Sequence, residues 1–361
     1  MISLGALLFA ALIALSAALT QIMMTWSIID TPTSRSSHQR PTPRTGGIAI
    51  AISCLIGWIM VYLLVPERDV FFRIAPLQFS IYVAIAAGVF LSSLADDIWG
   101  LKPLVKFLIQ LIAALLFVSF VATFRELSIP GFGVVQLTIW GSVLAVLWMI
   151  FFMNAFNFMD GINGLAGGIA FIACLCLAVM GIFKNAHLVT LTSLCLAAST
   201  IGFLRYNFSS GRVFMGDSGS QFIGFVIASL AIFGASLEIN PISPYFVPIL
   251  LAPFIFDVLV TLIYRAARKE NVLMAHREHL YQIGTKLGAG HTQVSVVYFI
   301  LTGISGAVAF FADIRPTTTA LWLVIALMVM LGILAFAIYR AGLRAGVVEP
   351  LGRARSQAEG Q

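Results

Sequence analysis

The side chains able to do chemistry in this chain stand at the ends of long apolar runs. Asp96 and Asp97 close one run, Asn154, Asn157 and Asp160 close another, and Asp217 opens a third inside Phe214-Met215-Gly216-Asp217-Ser218-Gly219. A carboxylate beside hydrocarbon costs free energy unless it meets a cation, a hydrogen-bond partner or water. Three such placements predict one shared polar site, suited to a metal ion and a phosphate-rich substrate.

Each group has its own chemistry and its own plain structural alternative. Neighbours on a helix point about 100° apart, so Asp96 and Asp97 must serve different targets. One of them can meet a cation while the other holds a loop or a Lys. As a purely structural pair they would oppose the dipole of a helix C-terminus. Positions 154, 157 and 160 are three residues apart, which stacks them on one helical face. Asn163 joins that row only if the helix continues through Gly161. An Asn–Asn–Asp row suits sugar or nucleotide hydroxyls and metal-bound water. The glycines around Asp217 free backbone N–H groups at a helix N-terminus, which favours anions. Its carboxylate is a hard oxygen donor suited to Mg²⁺, with a simple N-cap as the alternative.

Two basic segments accompany these acids. Arg35, His38, Arg40 and Arg44 lie in a loop that Pro41 and Pro43 hold extended. Gly46-Gly47 at its end permit close backbone approach to a helix or ligand. The segment reads as a phosphate-binding strap, Arg44 included, or as an ordinary basic loop. The second is His276-Arg277-Glu278-His279-Leu280-Tyr281-Gln282, where His and Arg together can clamp a diphosphate. No thiol or third ligand there completes a zinc set. Asp257 differs from the rest, being well inside an apolar run. It is either a buried structural acid or a support for the site. His187 and His291 stand alone and read as structural or surface residues.

The elements that must position these groups are membrane spans. The chain is 60% hydrophobic and 10% charged, with a mean hydropathy of +1.01, which excludes a soluble globular protein of this size. A span needs roughly 20 apolar residues. Eleven runs of that order are predicted, at about 3–28, 46–65, 77–94, 103–124, 136–155, 162–183, 188–206, 218–237, 243–264, 293–312 and 318–339, with ten the nearest other count. The first run is too long for a signal peptide and no Lys or Arg precedes it. That predicts an outside N-terminus and a cytosolic C-terminus. The topology then puts 16 of the 21 Lys and Arg in the cytosol. It also gathers every candidate residue on that face. The net charge of +6 is explained by topology and attraction to anionic lipid, with no nucleic-acid partner. Cys54, Cys174, Cys176 and Cys195 fall within spans without metal-type spacing and read as small apolar packing groups. Gly131 and Gly133 after Pro130 predict a turn or small hairpin in an outside loop. With no linker or repeat, residues 1–340 are expected to form one transmembrane catalytic domain, and 341–361 a basic cytosolic tail.

Five strings occur in order across nearly the whole chain: P-T-P-R-T-G-G at 41–47, D-D at 96–97, N-A-F-N-F-M-D-G-I-N-G-L at 154–165, F-M-G-D-S-G-S at 214–220 and H-R-E-H-L-Y-Q at 276–282. Together they resemble the polyprenyl-phosphate N-acetylhexosamine-1-phosphate transferases. The resemblance implies an all-α polytopic protein of ten or eleven spans in the bacterial inner membrane, with a cytosolic Mg²⁺ site (Mn²⁺ substituting) and frequent homodimers. It implies that a UDP-sugar gives its sugar-1-phosphate to undecaprenyl phosphate, releasing UMP. By that carry-over Asp217 is the metal ligand, and Asp96 is a base or an orienter of the lipid phosphate. Asp97, Asn157 and Asp160 serve nucleotide or metal-bound water, and His276, Arg277 and His279 the diphosphate. Asp96, Asp97, Asp160 and His279 are thus the expected catalytic group. Arg44, Asn154, Asn157, Asn163, His276 and Arg277 are the expected substrate contacts.

Two departures mark this chain. The family usually has a second acid where Asn163 stands, so proton transfer or metal binding there is lost. The last loop is H-R-E-H rather than a run of histidines, and the first carries R-S-S-H. Both features resemble the branch that uses 6-deoxy-N-acetylhexosamines for O-antigen or capsule.

Attack of one phosphate on another is opposed chiefly by charge, so a divalent cation and Arg or His clamps are the expected catalysts. The acceptor's second pKa is near 6, so it needs orientation more than a strong base, and Asp96 is expected to supply that. The competing reading is a transporter of a phosphorylated or anionic substrate, which predicts mid-span polar residues, broken helices and a repeat.

Overall fold

The computed structural model describes residues 2–26, 28–30, 41–65, 67–129, 133–270, 278–315 and 317–350. Its elements run α1 (Ile2–Met23), β1 (Ile29–Asp30), β2 (Thr42–Pro43), α2 (Gly46–Leu64), α3 (Arg68–Phe72), α4 (Pro76–Trp99), α5 (Pro103–Phe120), β3 (Glu126–Ile129), β4 (Gly133–Gln136), α6 (Thr138–Met159), α7 (Leu165–Lys184), α8 (His187–Asn207), α9 (Gly216–Ala235), α10 (Phe246–Leu250), α11 (Ala252–Ala267), α12 (Leu280–Lys286), α13 (His291–Ile314) and α14 (Thr318–Arg344). The protein is an all-α bundle. Among the described residues, ten helices (α1, α2, α4 to α9, α13 and α14) are long and apolar enough to cross a membrane.

The expected span at 243–264 is not one helix. It divides at Leu251 into α10 and α11. Pro253, in the first turn of α11, has no N–H to return to the preceding turn, so the two pieces are not hydrogen-bonded through that position. Other boundaries shift by a few residues. Helix α4 runs on to Trp99, so Asp96 and Asp97 lie inside its last turns. Helix α6 stops at Met159, leaving Asp160 as its C-cap and Asn163 off the Asn–Asn–Asp row. The hairpin expected around Gly133 is present as β3 and β4, paired antiparallel from Glu126 opposite Gln136 to Ile129 opposite Gly133.

Helix α9 is the centre of the bundle and is buried along almost its whole length. It packs against α6 and α4, which carry Asn154, Asn157, Asp96 and Asp97, and against α2, which follows Arg44. Small residues set how close they come. A side chain on Gly47, at the start of α2, would run into the main chain of Gly219 in α9. The Gly46 and Gly47 amides donate to the carbonyls of Phe214 (2.9 Å) and Met215 (2.8 Å), and Phe214 donates to Pro43 (2.7 Å). The P-T-P-R-T-G-G string is therefore sewn by its backbone to the F-M-G-D-S-G-S string.

The cysteines are free thiols, with Cys54, Cys174 and Cys195 buried. His187 stacks on Phe71 at 4.1 Å, away from the acids. At the end of the bundle opposite the acids, Asp313, whose side chain is 1% exposed, ties Lys184 (2.6 Å) to the amide of Ser243 (2.6 Å), which links α7, α13 and the segment before α10.

Candidate active site

The first turn of α9 is enclosed by carboxylates from other helices. Asp97 is 3% exposed, and its two oxygens accept the amide hydrogens of Asp217 (3.0 Å) and Ser218 (2.9 Å). The Asp160 carboxyl lies near the same turn, where it feels the Gly216 amide and the charges of Asp217 and Asp97. Negative charge at a helix N-terminus is favourable, because these amides have no partner within the helix. The anion anticipated at this glycine-rich turn is thus supplied by the protein itself. Asp97 does not face outward as a substrate contact; it holds the backbone on which Asp217 is mounted. Asp217 is the second helical residue of α9, not its N-cap.

The Asp217 carboxylate accepts from Asn157 Nδ2 (2.8 Å) and from Lys106 Nζ (3.2 Å). Lys106 also forms an ion pair with Asp96, so its ammonium bridges the Asp96 and Asp217 carboxylates. Asp96 accepts the Leu101 amide as well (2.7 Å), which closes the tight turn between α4 and α5. The adjacent acids have divided their targets as helical geometry requires: Asp96 meets a cation and Asp97 a helix end. Arg44 reaches the same place by donating to the main-chain carbonyl of Asp97 (2.6 Å), one of the partnerless carbonyls at the end of α4.

Asp160 is half-buried at the end of α6. Burial first, then the charges of Asp217 and Asp97, push its carboxyl well above the usual range, against the opposing pull of the Gly216 amide. Asn157 and Asp160 thus converge on α9 as their spacing predicted. Asn154 does not. It exchanges hydrogen bonds with Gln110 (2.8 and 3.4 Å) and donates to its own helix at Ile150 (2.8 Å), while Gln110 donates to Gln221 (3.0 Å). One turn deeper than Asn157, it belongs to an amide network joining α5, α6 and α9. Asn163, past the end of α6, accepts from Ser295 through its carbonyl (2.8 Å) and packs its side chain against Gly211.

His276 and Arg277 lie outside the described residues, as do Arg35, His38 and Arg40. His279 is described and is 2% exposed, so its ring works from inside the protein rather than as an open clamp. Its Nδ1 lies 3.1 Å from Asp257 in α11. Glu278 turns the other way, onto Arg268 (2.6 and 2.8 Å).

Lys106 is the residue that motif reading passed over, since its charge was fully explained by topology. The signal for it was present. The connection from α4 to α5 is only Gly100 to Lys102, so the first turn of α5 has to face the last turn of α4.

Among the described residues, four carboxyl groups (Asp96, Asp97, Asp160 and Asp217) meet here with one ammonium and one guanidinium, a set rich in hard oxygen donors that a divalent cation would suit. Among the described residues no three His, Cys, Asp or Glu side chains form a preformed metal cage. Mg²⁺ is ordinarily held by one or two carboxylates with water and substrate phosphates. Asp217 and Asp96 would hold it.

Comparison with known proteins agrees with this geometry. The model of glycosyl transferase family 4 matches residues 79–235, the stretch from α4 to the end of α9. A probable undecaprenyl-phosphate N-acetylglucosaminyl 1-phosphate transferase of Bacillus subtilis is 30% identical over 308 residues, covering 85% of this chain and 83% of the relative. A decaprenyl-phosphate N-acetylglucosaminephosphotransferase of Mycobacterium tuberculosis is 29% identical over 315 residues, 80% of this chain and 78% of the relative. A phospho-N-acetylmuramoyl-pentapeptide-transferase of Staphylococcus epidermidis is 26% identical over 300 residues, 77% of this chain and 88% of the relative. Aligned with such relatives over most of its length, and folded as a multi-pass helical bundle, the chain belongs to glycosyl transferase family 4.

Proposed function

We propose that the protein transfers a sugar-1-phosphate from a UDP-N-acetylhexosamine to undecaprenyl phosphate at the cytosolic face of the bacterial inner membrane, in a Mg²⁺-dependent reaction. An oxygen of the acceptor phosphate bonds to the β-phosphorus of the UDP-sugar. The bridging oxygen leaves with the α-phosphate, which gives UMP and the undecaprenyl-diphospho-sugar. The observation that carries this reading is the junction of Asp217, Asp96, Lys106 and Asn157 at one end of the bundle. A phosphate on an isoprenoid tail can reach that level while its tail stays in lipid.

Both reactants are anions, so the site must suppress repulsion and hold them in line. Lys106 is partly exposed between the two carboxylates, and it can present its ammonium to a transferring phosphate. Mg²⁺, when bound by Asp217 and Asp96, supplies further neutralisation of the developing charge. Asp96 is held by the Leu101 amide and Lys106, a geometry that orients an incoming phosphate. Arg44 and Asp97 keep the α9 turn in place. The 6-deoxy-N-acetylhexosamine branch, in O-antigen or capsule synthesis, remains the proposed sugar class.

The transport reading predicted broken helices, and the α10–α11 break is one. Its buried acid, Asp257, is taken up by hydrogen bonds within the chain, so the break offers no carboxylate to a cargo.

The deciding experiment is UMP release from a panel of UDP-sugars, with undecaprenyl phosphate and Mg²⁺. Turnover with one or more N-acetylated sugars, abolished by EDTA, is expected. Silence across the panel from folded protein would overturn the transfer reading.

A further inference from the structure

Two buried acids have no part in the transfer as described. Asp313 is accounted for by Lys184 at the opposite end of the bundle. Asp257 is fully buried in α11, and its carboxylate gathers five donors: His279 Nδ1 (3.1 Å), the amides of Leu280 (2.9 Å) and Tyr281 (3.2 Å), and the hydroxyls of Tyr298 and Thr261. We propose that Asp257 is a positioning residue for the transfer: through the first turn of α12 and the Tyr281 hydroxyl, it sets the end of α6 that carries Asn157 and Asp160. The proposal rests on the transfer reading above.

The connection is short and directional. Asp257 accepts the first two amide hydrogens of α12, groups without partners in their own helix. That fixes Tyr281, which is 1% exposed. The Tyr281 hydroxyl donates to the Phe158 carbonyl (2.9 Å) in the last turn of α6. Gly161 faces that hydroxyl, and a Cβ there would collide with it, so the absence of a side chain is what lets Tyr281 reach the helix end. Phe158 stands between Asn157, which donates to Asp217 (2.8 Å) and to Ser220 (3.3 Å), and Asp160, the C-cap of α6. A displacement of Tyr281 therefore reaches the contacts of Asn157 on α9.

The same segment is secured from its other side. Arg268 grips the Glu278 carboxylate, and the Tyr339 hydroxyl donates to the Glu278 carbonyl (3.3 Å). Asp257 acts on α12 as Asp97 acts on α9, each a buried carboxylate from a neighbouring helix that fixes an N-terminal turn. A buried ionic group is weak evidence for stability as such, since apolar packing can replace it at little cost. A chain of directional bonds ending beside the acid cluster gives Asp257 a purpose that stability alone does not.

The test compares wild type, Y281F, D257N, the double variant D257N/Y281F and Y339F. For each, kcat and the UDP-sugar KM are measured by UMP release, and melting temperature by intrinsic fluorescence in detergent. Misplacement of a reacting group by about 1 Å costs up to roughly 100-fold in rate. The expected result is a fall in kcat of about 10-fold for Y281F and between about 10- and 100-fold for D257N. KM should change by less than about 3-fold, and Y281F should melt near wild type. The double variant should be no slower than D257N, because both changes interrupt one connection. Y339F removes a hydroxyl from the far side of the segment and should keep wild-type kcat. Wild-type kcat in Y281F, multiplicative losses in the double variant, or an equal loss in Y339F would each overturn the proposal. If D257N does not fold, Y281F against Y339F decides. A silent wild type overturns the transfer reading and this proposal with it, whereas an active wild type with a fully active Y281F overturns this proposal alone.

Discussion

Lys106→Met is the most direct probe of the acid cluster, because it keeps much of the side-chain stem and removes the cation between Asp96 and Asp217. The ammonium lies 3.2 Å from Asp217 and in contact with Asp96, and its side chain is 32% exposed. At that distance a unit charge pair is worth about 5 kcal/mol at an effective dielectric of 20. Solvent at the exposed ammonium, together with the entropy of holding a long side chain, brings the usable part down to roughly 1–2 kcal/mol. Removing the cation also leaves the two acids to repel each other. A net loss of about 2 kcal/mol is therefore expected, or roughly 4–8 °C in melting temperature if the scaling for large domains holds. The assay is thermal unfolding in detergent, first with EDTA and then across a Mg²⁺ titration. The loss should be full in EDTA and should shrink as Mg²⁺ replaces the missing positive charge. Mg²⁺ should therefore stabilise the variant more than it stabilises wild type. Turnover at saturating Mg²⁺ should still fall by at least about 10-fold, because the ammonium no longer faces the transferring phosphate. An unchanged or raised melting temperature in EDTA would refute the reasoning, since it would mean that the two acids do not depend on Lys106.

Other consequences follow from the same geometry. Asp217→Ala should lower turnover by at least about 100-fold and abolish the Mg²⁺-dependent rise in melting temperature; a retained rise would place the metal elsewhere. Asp160→Asn should stabilise the metal-free protein at pH 8 while reducing activity. A carboxyl whose folded pKa is raised contributes stability that is complete below its unfolded value, near 4, and is lost as pH rises through the folded value. The gain over wild type should therefore vanish as the pH approaches 4 and grow above it, and the opposite slope would refute the assignment. Asn154→Leu should lower the melting temperature, because the buried Gln110 carbonyl oxygen loses the Asn154 donor at a cost of about 1–3 kcal/mol. It should leave the UDP-sugar KM unchanged, and a raised KM would return Asn154 to the substrate contacts.

Ten of the eleven expected spans, the grouping of acids at one end and the common face of Asn154 and Asn157 follow from local order alone, whereas the division of the run at 243–264 does not. Hydropathy over about 20 residues and a helical period need no knowledge of the rest of the fold. The strings P-T-P-R-T-G-G and F-M-G-D-S-G-S marked the places where backbones meet, although not that they meet each other. What only the tertiary structure decided is how each polar group spends its hydrogen bonds. Asp97 looked like a partner of Asp96 in chemistry, but its oxygens are used on the amides of Asp217 and Ser218. Asn154 shares a helical face with Asn157, yet Gln110 and Gln221 lie at its depth and take it into a network. Lys106 was counted as a topological charge and proved to be the counter-ion of the site. Asp257, a solitary acid in a hydrophobic run, is joined to residues more than 20 positions later only because α12 folds back onto α11. Sequence states which residues have unfilled bonding capacity and at which level of the membrane they lie. Which partner fills that capacity depends on distances between helices far apart in the chain, and these exist only once the bundle has packed.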